Sequence, residues 1–234
     1  MKNRATFILI CLLVCFAKNT FAQKKPLSFG IKAGVDLSTA FVNDVSESKF
    51  RTGYQAGITV EYSLIEKISI QSGLFFSTKG SKQEDLRVNN YVGGTPDYTH
   101  TFNQQYLELP VYAAYRMAIS DKTNLVLGFG PYFAYGIGGK TKQKLNNGTW
   151  SNGVTEIQWD TFGDGVFDEN RDWLHGESLN RFDFGAGIKA DLEYCKYILG
   201  LGITSSIINI ANTQEYEDLK YRNFNINVSL GYKF

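Results

Sequence analysis

Histidine, cysteine and proline are scarce in this chain: two, three and four among 234 residues. His100 and His175 stand alone, and no Cys/His cluster has the spacing of a zinc site. Basic and acidic residues nearly cancel, 24 against 23, so the positive surface with which a nucleic-acid binder displaces counterions is missing. Long apolar runs are missing too. The one candidate, Ala5 to Ala17, is too short and too near the N-terminus to be a spanning helix, and mean hydropathy is −0.21. A helical membrane protein is excluded. Strands that cross a bilayer are not, because they carry apolar residues only at alternate positions and look soluble on average. What the chain has in quantity is glycine (23) and aromatic residues (17 Phe, 14 Tyr, 3 Trp).

The first segment has the grammar of export. Met1 to Arg4 is a positive n-region, Ala5 to Ala17 an apolar h-region, and Thr20-Phe21-Ala22 places small residues at −3 and −1 of a cleavage site. Lipoprotein processing at Cys15 is disfavoured because Val14, just before it, is not small. Residues 1–22 are therefore expected to be a cleaved secretory signal peptide and residues 23–234 a single domain. Cleavage removes Lys2, Arg4 and Lys18, leaving a formal charge of −2, and removes Cys11 and Cys15. Cys195 is then the sole cysteine, so no internal disulfide can form.

The rest alternates with period two. In Phe29-Ile31-Ala33-Val35-Leu37 and Phe224-Ile226-Val228-Leu230-Tyr232-Phe234, apolar residues interleave with polar or small ones. A helix would space them by three and four; strict alternation is a strand with one apolar face. Tyr54–Tyr62, Ile68–Phe76, Leu107–Tyr115, Leu125–Tyr135, Phe182–Tyr194 and, more weakly, Tyr197–Ile203 follow the same rule. Each of these eight segments approaches or exceeds the length a tilted strand needs to cross a bilayer. An even number lets an antiparallel sheet close on itself. The connections alternate as well. Those at Leu64–Glu66, Met117–Lys122 and Cys195 are short, whereas Val42–Phe50, Gly80–Phe102, Gly138–Leu179 and Asn209–Tyr221 are long. Short periplasmic turns, long outer loops and two periplasmic termini are what an outer-membrane barrel shows.

A soluble lipocalin-like barrel, with its apolar face inward, would give the same alternation. The polar face distinguishes them. It is rich in Gly, Ala, Ser and Asn (Gly128, Gly130, Gly136, Gly185, Gly187), which a water-facing surface does not need and a crowded eight-stranded lumen does. Tyr54, Tyr62, Tyr115, Tyr135 and Tyr194 fall near segment ends, where girdle residues meet headgroups. The expected fold is all-β: an eight-stranded antiparallel up-and-down transmembrane β-barrel in the outer membrane of a Gram-negative bacterium.

Four short stretches carry a resemblance. Gln105-Tyr106-Leu107-Glu108-Leu109-Pro110, Gly128-Phe129-Gly130-Pro131-Tyr132, Asn180-Arg181-Phe182-Asp183-Phe184-Gly185 with Gly187, and the closing Leu230-Gly231-Tyr232-Lys233-Phe234 occur in the order found in the outer-membrane β-barrel (porin-like) domain common in Bacteroidetes. The chain resembles that family over essentially its whole mature length. The resemblance implies an outer-membrane barrel; "porin" describes the fold there, and many members have no assigned activity.

Candidate chemistry is thin, and no catalytic residue or cofactor is expected. A His175 site with Asp172 or Glu177 lacks any nucleophile at supporting spacing. The Gly138–Leu179 connection holds Trp150, Trp159 and Trp173, candidate anchors for an extracellular glycan or protein. Asp160, Asp164 and Asp168 offer hard oxygen ligands for an irregular Ca²⁺ site, although Phe162 and Arg171 occupy EF-hand ligand positions. Lys32, Asp36, Glu61, Glu108, Arg116, Arg181, Asp183, Lys189, Asp191 and Glu193 all fall on the polar face. Within a narrow lumen they are expected to pair, with Lys32, Asp36, Glu108, Arg116 and Lys189 at the centre of a charge network that fills it. Tyr232 and Phe234, closing an alternating strand at the C-terminus, are expected to be read by the barrel-insertion machinery. The functional expectation is a monomeric structural or surface-interaction barrel set in outer-membrane lipid; a narrow channel or transporter for small solutes is the alternative.

Overall fold

A computed structural model describes residues 26–43, 48–85, 98–146, 155–162, 178–212 and 220–234. Thirteen strands are present among them: β1 (Leu27–Val42), β2 (Ser48–Lys49), β3 (Arg51–Ser63), β4 (Ile68–Asp85), β5 (Tyr98–Ser120), β6 (Thr123–Gly138), β7 (Lys140–Leu145), β8 (Glu156–Asp160), β9 (Ser178–Leu179), β10 (Phe182–Tyr194), β11 (Tyr197–Ser206), β12 (Ala211–Asn212) and β13 (Tyr221–Lys233). Eight of these form a closed antiparallel ring in the order β1, β3, β4, β5, β6, β10, β11, β13 and back to β1. The seam runs from Gly30 opposite Lys233 to Val42 opposite Tyr221, and the Phe234 amide donates to the Phe29 carbonyl at 2.9 Å. Closure leaves no spanning strand with an open edge, the condition for placing a sheet in hydrocarbon, where no water can satisfy backbone groups.

Alternation sorts the side chains as the sequence indicates. On β1, Phe29, Ile31, Val35 and Leu37 are each 44–51% exposed while Asp36 and Ser38, on the other face, are fully buried. The apolar side chains thus cover the outside, and the lumen carries the polar ones. Tyr62, Tyr115, Tyr194 and Tyr197 ring the end that holds the short turns, and Tyr54, Phe76 and Tyr135 lie towards the other. The eight-stranded transmembrane barrel is the fold.

Glycines on the inner face make room for large neighbours. A Cβ on Gly136 would lie 2.5 Å from the Phe162 ring, and one on Gly185 equally close to Tyr132. One on Gly200 would lie 2.5 Å from Asp191 and 2.6 Å from the Lys32 ammonium. The small-residue face is the complement of what fills the barrel.

At the loop end the sheet outruns the ring. β7 pairs with the outer part of β5 and β8 pairs with β7, so Lys140–Asp160 contributes two strands. The Gly138–Leu179 connection, read from the sequence as having no strands of its own, is partly an extension of the wall. Gly139, at φ +140°, breaks β6 from β7; a Cβ there would strike the Asn103 carbonyl.

Candidate functional site

The lumen has two storeys. The outer one is aromatic and apolar. Ala40, Phe102, Tyr106, Tyr132, Ala134, Phe162, Leu179, Ile210 and Tyr221 form a buried cluster, with Tyr106 and Phe162 edge to face at 5.3 Å and Phe102 against Tyr221 at the same distance. Phe162 enters from the segment after β8, over the gap left by Gly136. The polar tips are engaged: the Tyr221 hydroxyl accepts from Gln104 at 3.0 Å and meets the Ser81 hydroxyl at 2.9 Å. Tyr132 donates to Asp183 at 3.3 Å, and Asp183 also accepts from Ser206 and Asn223.

The inner storey is ionic. Arg116 reaches Glu61 at 2.7 Å and also pairs with Glu193; Lys233 pairs with Glu61 and lies 3.7 Å from Glu193. Asp191 accepts from Lys32 at 2.6 Å and Lys189 at 2.9 Å. Between the storeys, fully buried Lys79 pairs with Glu108, its ammonium 4.5 Å from the centre of the Tyr132 ring. Asp36 is held by Asn225 at 3.2 Å and Ser77 at 3.4 Å instead of by a cation.

The expected lumen residues Lys32, Asp36, Glu108, Arg116 and Lys189 all point inward, but into separate clusters. Two partners were missing from that reading. Lys233 was legible, since it lies on the polar face of the closing strand. Lys79 was not, because alternation ends at Phe76, where both faces of β4 turn polar. Arg181, expected inside, is exposed: it precedes β10, donates to the Gly136 carbonyl at 2.9 Å and packs against Phe162. The chain leaves strand geometry there, so parity no longer fixes the side chain.

Of the loop residues, Trp159 lies on β8 and is only 7% exposed, so it packs the extended wall. Asp160 is exposed and takes the Lys140 ammonium at 2.5 Å. Trp150, Trp173, Asp164, Asp168, Asp172, His175 and Glu177 lie outside the described residues. His100 is on β5, stacked on Phe102. Among the described residues no group of three His, Cys, Asp or Glu is placed to hold a metal ion. Tyr232 sits across the seam from Ile31, its ring 5.5 Å from Tyr197 and 5.7 Å from Phe234, which is 67% exposed.

A family described as an outer membrane protein beta-barrel domain matches residues 21–234. The chain belongs to that family. This is an outer-membrane barrel, and the ring above is its family fold. No curated protein sequence matches the chain. Among solved structures, the outer membrane protein OprG from Pseudomonas aeruginosa is similar at 10% identity, over 88% of this chain and 95% of that one, with a TM-score of 0.44. Ail, the attachment invasion locus protein of Yersinia pestis, gives 10% identity, 88% and 98% coverage and a TM-score of 0.39. Neisserial surface protein A gives 12%, 88% and 97%, and 0.40.

Proposed function

We propose that this family member is a closed, surface-displaying barrel and not a conduit. The observation that carries the reading is the filled lumen: an aromatic storey above, and below it ion pairs whose partners come from across the barrel. Moving a solute through would break buried pairs and leave charges uncompensated, which costs several kcal/mol per pair. The purified, refolded protein is expected to give no sustained current in planar bilayers. Steady ohmic conductance would overturn the reading in favour of a narrow channel.

The start of β1 at Leu27 and the closing Phe234 share one end with the short turns, and the extended wall stands at the other. This supports periplasmic termini, and with them a cleaved signal over residues 1–22. Cys195 reports on it. It is exposed, at φ +54°, in the two-residue turn between β10 and β11. A membrane-impermeant maleimide is expected to label it only after the outer membrane is permeabilised; labelling on intact cells would reverse the orientation.

The self-closed ring needs no second copy to satisfy its edges, which supports a monomer. The walls are committed to lipid outside and packing inside, so an extracellular glycan or protein would meet the Gly138–Leu179 connection, through Trp150 and Trp173. Replacing residues 147–154 and 163–177 each by Asn-Gly, with β7 and β8 kept, is expected to leave assembly intact and abolish binding of whole cells to such ligands. If every binding activity of the parent survives, the connection is not the site.

A further inference from the structure

Beneath the Lys79–Glu108 pair the lumen widens into a cavity of about 90 Å³, room for a few waters or a small ion. It reaches Ser28 and Lys233, in the last rungs of the terminal strands, so it is approached from the turn end.

The charges around it do not balance. Four carboxylates line it, Glu61, Glu108, Asp191 and Glu193. Five cations serve them. Glu108 has Lys79, and Glu61 and Glu193 divide Arg116 and Lys233. Asp191 alone receives two ammoniums, Lys32 on Oδ1 and Lys189 on Oδ2. Among the groups at the chamber one positive charge is therefore in excess, at Asp191; Lys79, at its roof, also faces Asp36 and Asp183. The remaining lumen acids are too far off to cancel it: Asp36 stands four residues along β1 from Lys32, about 13 Å, and Asp183 six along β10 from Lys189, about 20 Å.

Donors are in excess there as well. An ammonium carries three, and Asp191 is the hydrogen-bond partner that the structure gives both lysines. Gln71 Oε1 and Thr204 Oγ1 line the same cavity, more than nine-tenths buried and without a protein partner. They are close to Lys189. Thr204 and Gly202 of β11 stand opposite Gly187 and Lys189 of β10, and Gln71 stands opposite Tyr112, whose ring is 5.6 Å from the Lys189 ammonium.

We propose that this chamber is a binding site for a small monovalent anion such as a halide, nitrate or formate. The anion takes the spare donors of Lys32 and Lys189 and the Thr204 hydroxyl. A water sharing the chamber donates to Gln71. The anion neutralises the surplus charge that low-dielectric surroundings penalise, and Gly200 and Gly128 keep the lysines in place by leaving room for them.

The refolded barrel in detergent tests this by exchange of sodium gluconate, too large for the chamber, for sodium bromide at matched ionic strength. Bromide is expected to raise the unfolding temperature by about 2 °C or more, as ligation of the folded state alone does. Crystals grown in bromide should show its anomalous scattering beside Lys189. In Lys189→Gln, where Asp191 and Lys32 balance, both signals should vanish. In Asp191→Asn, where the excess rises to two, the bromide effect should grow; either variant suffices if the other fails to fold. No bromide effect in the parent, or an undiminished effect in Lys189→Gln, would overturn the proposal.

Discussion

Replacing Arg116 by methionine is expected to destabilise the folded barrel by about 3–5 kcal/mol, the usual consequence of removing one member of a buried ionic cluster. The guanidinium bridges two carboxylates, Glu61 and Glu193, from opposite walls. Without it, Lys233 alone serves both, and two buried negative charges face each other. Urea unfolding of the refolded protein measures the loss. Adding Glu193→Gln to the Arg116→Met chain should recover part of it, because the orphaned charge is then gone. A loss below about 1 kcal/mol would mean that water in the chamber screens these charges as it does at a surface.

Ending the chain after Lys233 is expected to separate assembly from stability. The seam from Gly30–Lys233 to Val42–Tyr221 remains whole in that variant; the Phe234-to-Phe29 hydrogen bond and an exposed ring, with its edge contact to Tyr232, are lost. Refolding in detergent should yield a barrel within about 1 kcal/mol of the parent, in the range of surface substitutions. In cells the same chain should be found unassembled or degraded if Phe234, with Tyr232, is read by the insertion machinery. Normal levels in the outer membrane would remove that role. A large loss of stability in vitro would assign Phe234 to closure instead.

The ring was legible because lipid imposes a strict rule on one face of each strand. Phe29-Ile31-Val35-Leu37 alternates with buried Asp36 because a spanning strand has apolar surroundings on one side only. The rule lapses where the wall leaves the bilayer. From Ser77 to Asp85 on β4 and from Tyr98 to Tyr106 on β5 both faces are polar or mixed, so the strands continue without a period to betray them. Lys79 was lost with those stretches, as were Phe102 and Tyr106 of the aromatic storey; these two and Phe162, after β8, face inward against the pattern below them. Parity found Glu61, Glu108, Asp191 and Glu193, but not who pairs with whom, because strand order around the ring and stagger between strands decide that. Lys32 and Asp191 are 159 residues apart and meet only after closure.

The extended wall has a consequence for how anything at its tip is presented. β5 has 23 residues, about 75 Å of strand, roughly twice what a tilted crossing of the hydrocarbon uses. The surplus is hydrogen-bonded to β4 on one side and β7 on the other. Amides there should exchange with deuterated solvent slowly although they stand in water, marking a stiff mast where a long outer loop was expected. A ligand that meets the top of a mast need not freeze the stem beneath it. The rigid stem also holds the tip at a fixed height and angle, so cell-surface polysaccharide taller than the mast would hide it and shorter polysaccharide would leave it in reach.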